Sequence, residues 1–196
     1  MSVQQSEQVL MGFPGTGAHS QEIGRIFIDH VFEQLFADHY PRLVKTLLRL
    51  VGDPSQAEEL AADAFYRLYK QRPPGTPDNL AAWVYRTAIN LGLDALRSNA
   101  RRARREDRAG REALRSDKPE GPLHDLLAEE QRLRVRTVIA QLKPEYGQAL
   151  LMSSSGFTCK EMAAILNVKT DSLYVLTGRA KAKFEQEYLK LYGRQQ

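Results

Sequence analysis

Arg86, Asn90, Asp94 and Arg97 stand at i, i+4, i+8 and i+11 of one stretch, and Arg101 extends the series. At 3.6 residues per turn this spacing puts them on a single stripe of a helix. Arg and Asn carry forked donors that fit base edges and phosphate oxygens. The plainer reading is that Asp94 and Arg97 pair within their own helix, worth a few tenths of a kcal/mol. The remainder of the segment (Trp83, Val84, Ala88, Leu91 and Ala95, flanked by Tyr85, Ile89, Leu93 and Leu96) is apolar enough to be buried. A single polar stripe is therefore expected at the surface, running into Arg101, Arg102, Arg104 and Arg105.

A second constellation lies at 158–180, "TCKEMAAILNVKTDSLYVLTGRA". Thr158 and Glu161 have the spacing of a capping box. A short helix with Met162, Ala163, Ile165 and Leu166 meets a turn at Asn167-Val168, and a second helix follows from a cap at Thr170 or Asp171. That is the layout of a helix-turn-helix, whose second helix meets base edges in the major groove. Helical hairpins with no nucleic-acid role share the pattern. Leu173 and Leu176, three apart, are expected to face the core. That leaves Ser172, Tyr174, Val175 and Arg179 outward, with Lys181 and Lys183 beyond. Val175 and the Tyr174 ring suit a thymine methyl, and Ser172 a base edge or phosphate.

Catalytic sets are not found. His19, His30, His39 and His124 lack any HxxxH or HExxH spacing, and with one cysteine no zinc set exists. There is no G-x-S-x-G, P-loop or dinucleotide fingerprint. Cys159 near a helix start reads as inert, and Glu58-Glu59 as a solvated face. The expectation is a protein that is not an enzyme and needs no cofactor or metal.

The elements that must position these residues read as helices throughout. Residues 1–25 are rich in Gly, Pro and small polar residues and are expected to form a flexible arm. Phe32, Leu35, Phe36, Leu43, Val44, Leu47, Leu50 and Val51 recur every three or four residues, with Pro41 expected to bend or break the run. In "GDPSQ", Asp53 suits an N-cap, Pro54 the first helical position, and Gln56 can reach back. The next helix buries Ala57, Leu60, Ala61, Ala64, Phe65 and Leu68. Its opposite face carries Glu58, Glu59, Asp63, Tyr66 and Arg67. "QRPPGTPDN" reads as a loop, and the stripe-bearing helix starts near Asn79. Residues 99–122 are Arg-rich and poor in apolar side chains, the composition of a linker. From Leu123 a second helical domain begins, with Leu126, Leu127, Leu133, Val138, Ile139 and Leu142 as its first apolar set.

Charge follows this division. Residues 1–96 carry 8 basic and 11 acidic side chains, residues 97–123 carry 9 and 5, and residues 124–196 carry 11 and 8. Positive charge in the middle and C-terminal parts fits a phosphate-bearing partner or a solvated run. The single cysteine fits a reducing cytosol. No secretory signal or stretch near the ~20 apolar residues of a membrane span is present.

The motifs "AEELAADAFYRLY", "AAWVYRTAINLGLDALR", "LKPEYGQALLM", "TCKEMAAILNV" and "GRAKAKF" resemble, in order and spacing, bacterial sigma factors of the two-domain extracytoplasmic-function (ECF) subgroup. The likeness covers roughly residues 26–190. It implies an all-α chain: an N-terminal arm (1–25), a sigma-2-like domain (26–98), a basic linker (99–122) and a sigma-4-like helix-turn-helix domain (123–196). It implies core RNA polymerase as partner, through the largest-subunit clamp and the flap, with Glu59, Asp63, Tyr66 and Arg67 docking on the clamp. Promoter DNA is the second partner. Arg86, Thr87 and Asn90 match the duplex-edge positions of the −10 element, with Asp94 and Arg97 on the same stripe. The loop at Pro73–Asn79 matches the one that captures an unstacked base. Ser172, Tyr174, Val175, Arg179 and Lys183 fall to the −35 element. An anti-sigma factor is a further implied partner, and the place of action is the cytoplasm. Family members often carry several basic residues before the Arg-Ala pair of the recognition helix, whereas this chain has only Arg179. The alternative left open is a helix-turn-helix regulator that does not act as a sigma factor.

Overall fold

The computed structural model describes residues 17–71, 76–109 and 123–193. Every regular element among them is an α-helix: α1 (Gly17–Val51), α2 (Pro54–Gln71), α3 (Pro77–Ala109), α4 (Leu123–Gln141), α5 (Pro144–Ser154), α6 (Cys159–Leu166) and α7 (Thr170–Tyr192). No described helix is long and apolar enough to cross a membrane.

Helices α1, α2 and α3 pack against one another around Leu43, Leu47, Leu50, Ala61, Phe65, Val84, Ala88 and Ile89, all buried. Small residues let the axes approach. A β-carbon on Gly92 of α3 would stand 2.8 Å from Leu50 and 3.0 Å from Leu47 on α1. Alanines 57, 61 and 64 give α2 a smooth inner stripe, and Phe65 fills the space they leave. The Phe65 ring meets Phe36 edge-on at 4.9 Å between centroids and Phe32 at 6.0 Å, and Tyr40 stacks on Phe36 at 4.5 Å. Such edge-on and offset pairs add about 0.5–1.5 kcal/mol each beyond area burial.

Local signals set the joints. Asp53 accepts the Gln56 N–H at 2.6 Å, as its N-cap spacing predicts. The Gln56 side chain does not reach back; it accepts from Asn99 of α3 at 3.5 Å. Thr158 and Glu161 form the capping box, with the Thr158 N–H on Glu161 Oε2 at 2.7 Å and the Glu161 N–H on Thr158 Oγ1 at 3.2 Å. Asn167 adopts the left-handed conformation (φ 56°, ψ 48°) at the turn, which Asn tolerates better than other side chains.

Several boundaries differ from the sequence expectations. Helix α1 begins at Gly17, inside the stretch read as a flexible arm; residues 1–16 of that arm lie outside the described residues. Pro41 does not break α1. It is exposed, as is Ala37, whose carbonyl loses its partner there, so water can satisfy that carbonyl. Helix α3 starts at Pro77 rather than Asn79, Pro being suited to the first turn; residues 72–75 of the expected loop lie outside the description. The same helix continues to Ala109, so residues 99–109 of the expected linker are helical, and 110–122 lie outside the described residues. The N-cap of α7 is Lys169, with no side-chain cap, rather than Thr170 or Asp171. Leu127 and Leu133 are more than half exposed, whereas Val138 and Ile139 further along α4 and Leu142 just past it are buried; the side chain of Leu126 lies outside the description.

The two halves share one core. Phe157, Met162 and Ile165 are buried in the same cluster as Tyr85 and Leu93 of α3. Gly147 of α5 permits the approach, since a β-carbon there would lie 3.1 Å from Leu93.

Candidate nucleic-acid and polymerase interface

On α2 the outer face carries Glu59 and Arg67, both exposed, and Tyr66, 57% exposed. Asp63 is half-exposed and pairs with Arg67 at 3.0 Å, four residues along. Lys70 lies 5.6 Å over the Tyr66 ring. The alanine stripe orients this face by burying the opposite one, and leaves an acidic and aromatic patch in solvent. Tyr66 and Arg67 are of types enriched at protein interfaces, whereas Glu59, Asp63 and Lys70 are of types depleted there.

On α7, Leu173 is buried, while Ser172, Tyr174, Val175 and Arg179 point outward as their spacing predicts. Leu176 is half-buried rather than fully inward. It lines an open groove of about 440 Å³ with Val168, Val175, Arg179, Glu145 and Tyr146. Lys183 is half-buried and held by Glu187 at 3.0 Å and Gln186 at 2.9 Å, so its charge is already partnered. The Tyr174 hydroxyl is raised above its usual range, chiefly by a side-chain hydrogen bond with Cys159.

The stripe on α3 departs from the expectation of a free edge. Of Arg86, Thr87, Asn90, Asp94 and Arg97, only Asn90 and Asp94 are exposed, and the other three are half-buried. Arg86 donates to the Ile165 carbonyl at 2.6 Å and the Ala164 carbonyl at 3.3 Å. The Asn90 carbonyl accepts from the Gln148 amide. Arg97 pairs with Asp94 at 3.3 Å, as the plainer reading had it, and also reaches the Leu142 carbonyl at 3.3 Å. The second helical half thus lies along the stripe. Sequence spacing could not show this, because the partners stand 45 to 79 positions away.

Residues not singled out in the sequence complete this contact. Arg42 of α1 forms an ion pair with Glu161 at 2.5 Å and lies 4.0 Å over the Phe157 ring, which meets Tyr85 edge-on at 5.1 Å. Arg49, seven residues on and so on the same face, donates to the Ser154 carbonyl. In the reverse direction Arg136 of α4 reaches the Arg49 carbonyl at 3.4 Å. Two arginines seven apart, on the helix that buries Leu43, Leu47 and Leu50, were the available signal. Burial pushes the Tyr85 hydroxyl up to about 12, and it finds no hydrogen-bond partner among the described residues.

The hydrogen bond from Arg42 is the main reason that Glu161 falls from the ordinary 4.5 to about 2, and Arg42 is raised by the same bond. A carboxylate whose folded value is depressed stabilises the fold above its unfolded value, and that contribution is lost as pH falls through the folded value. The advantage of the native chain over a Glu161→Gln variant should therefore be constant above pH 4.5 and vanish between 4.5 and about 2. Thermal melts of both chains from pH 7 to 2 check this. A melting difference that stays constant across that window would disprove the charge contribution, since Gln retains the capping geometry.

Residues 35–102, which span about half of α1, all of α2 and most of α3, match the sigma-70 region 2 family. The ECF RNA polymerase sigma factor SigE of Mycolicibacterium smegmatis is 28% identical over 145 residues, which cover 70% of this chain and 54% of SigE. The chain thus spans about half the length of that relative. The RNA polymerase sigma factor CarQ of Myxococcus xanthus is 28% identical over 167 residues, covering 82% of this chain and 86% of CarQ. Among solved structures, the sigma factor RpoE in complex with the anti-sigma factor NepR from Bartonella quintana covers 82% of this chain and 98% of its own, with 24% identity and a TM-score of 0.47. Residues 35–102 thus match sigma-70 region 2, and the chain is similar over most of its length to sigma factors, one of them of the extracytoplasmic-function subgroup.

Proposed function

We propose that the chain acts in the cytoplasm as an alternative sigma factor: it binds core RNA polymerase, directs it to promoters and catalyses nothing itself. The observation that carries this reading is the coincidence of the region 2 match with the three-helix unit α1–α3, which holds both the acidic α2 face and the α3 stripe. In this reading Glu59, Asp63, Tyr66 and Arg67 dock on the polymerase clamp. Arg86, Thr87, Asn90, Asp94 and Arg97 address the −10 element, and Ser172, Tyr174, Val175, Arg179 and Lys183 the −35 element. The flap of the polymerase is the partner of the C-terminal half, and an anti-sigma factor is a further partner class. Run-off transcription by core polymerase with the full chain on a promoter library tests it directly. Sequence-specific transcripts are the expected result. Duplex binding with neither core affinity nor transcripts would instead identify a helix-turn-helix regulator.

Within this reading Asn90→Ala should weaken promoter opening and leave core affinity unchanged. A lost base or phosphate contact costs ~1–3 kcal/mol, or roughly 5- to 150-fold. Permanganate footprinting at limiting holoenzyme concentration is the measurement. Opening at the wild-type level would remove Asn90 from the DNA-facing set.

A further inference from the structure

Gly178 stands inside α7, where glycine weakens a helix relative to alanine because its backbone has more freedom to lose. Gly92 and Gly147 are explained from within the chain, since a β-carbon there would crowd Leu50 or Leu93. At Gly178 a β-carbon would meet nothing within 4 Å beyond its chain neighbours and its own helix backbone, and φ is not positive. The folded chain itself therefore does not require a glycine at this place. Gly178 lies on an exposed face. Tyr174, 63% exposed, and Val175, 52% exposed, stand one turn before it, Arg179 beside it and Lys181 one turn after.

We propose that Gly178 is the floor of a seat for the methyl group of a thymine in the major groove, and so a specificity-determining position of α7. Inside a helix the backbone donors and acceptors are already paired. The Thr177 hydroxyl adds a further bond to the Tyr174 carbonyl at 3.0 Å. The bare backbone at Gly178 thus offers no donor to a phosphate and no partner to a polar base edge. It offers a glycine methylene, with the Val175 side chain and the Tyr174 ring one turn away, and so an apolar depression. Among the groups that base pairs present in the major groove, the thymine methyl is the apolar one. Arg179 and Lys181 bring charge to the margin of the seat, where phosphates flank the groove. A side-chain methyl at position 178 would fill the seat and hold the helix off the base pair. The proposal rests on the reading of α7 as a DNA-facing helix, in a sigma factor or a regulator alike.

The test uses the full chain, alone and assembled with core polymerase. Duplexes are selected from a randomised library, and each thymine of the selected site is replaced in turn by deoxyuridine, which lacks only the methyl. Burying one methyl group is worth roughly fourfold in affinity, so one replacement should weaken wild-type binding about fourfold. Gly178→Ala should melt about 1–4 °C above wild type, because alanine is the better helix former. It should nevertheless bind the selected site about fivefold or more weakly, and bind thymine and uracil alike at the sensitive position. Its salt dependence should match that of wild type, since no charged contact is lost. A Gly178→Ala chain that keeps both the affinity and the preference for thymine overturns the proposal. So does one that melts below wild type, which would give Gly178 a role in the fold. A wild-type chain indifferent to uracil throughout its selected site also overturns it, and leaves the DNA-facing reading of α7 standing. If neither form of the protein enriches any duplex, that reading falls and this proposal with it.

Discussion

Asp63→Arg is expected to lower affinity for core polymerase by about 2–5 kcal/mol, or roughly 30-fold to more than a thousandfold, while leaving the helical content unchanged. Asp63 sits on the outer face of α2, opposite the buried Ala57, Ala61 and Ala64, so the new side chain meets solvent rather than core. Its present partner is Arg67, and that exposed pair contributes at most about 1 kcal/mol to the fold. Reversal places two cations one turn apart in a patch whose proposed role depends on negative charge. A pull-down with core polymerase, alongside circular dichroism, is the measurement. Unchanged affinity with an intact fold would mean that the α2 face is not the docking surface.

Phe65→Ala should destabilise the folded chain by about 3–5 kcal/mol. Phe65 is 2% exposed and is the ring on which Phe32, Phe36 and Tyr40 converge. Truncation removes its own burial and leaves a void that these rings cannot all collapse into, since Phe36 and Tyr40 are fixed to each other. At about 2–4 °C per kcal/mol for a chain of this size, the melting temperature should fall by roughly 6–20 °C. Differential scanning calorimetry measures it. A fall of less than about 3 °C would mean that the cluster repacks freely.

The residues that announced themselves in the sequence did so through local physics. The capping box at Thr158–Glu161, the Asp53 cap, the αL turn at Asn167 and the alanine stripe of α2 each depend on neighbours within four or five positions. Periodicity therefore exposed them. The α3 stripe was legible as a stripe, and its chemistry as cation and amide donors. Its covering was not legible, because the Arg86 and Arg97 partners are backbone carbonyls, which every residue carries and no side-chain pattern marks. Arg42 was hidden for a related reason. Glu161 already had a sufficient local role as the cap, so nothing in the sequence asked for a second partner 119 positions away. The ends of α1 and α3 were misjudged because polar composition was read as irregular structure. At the end of α3 the residues are mostly Arg, Glu and Ala, good helix formers that need no apolar face.

The extension of α3 through the arginine block bears on reach. Wound at 1.5 Å per residue, its last eleven residues, 99–109, span about 16 Å; unwound and fully extended they would span up to about 37 Å. Arg101, Arg102 and Arg105 are exposed on these turns, and crowding of like charge there favours unwinding, while a polyanion alongside relieves it. Unwinding of these turns would lengthen the stretch by about 20 Å, and circular dichroism of the full chain over a salt series would show whether the helix responds to the electrolyte.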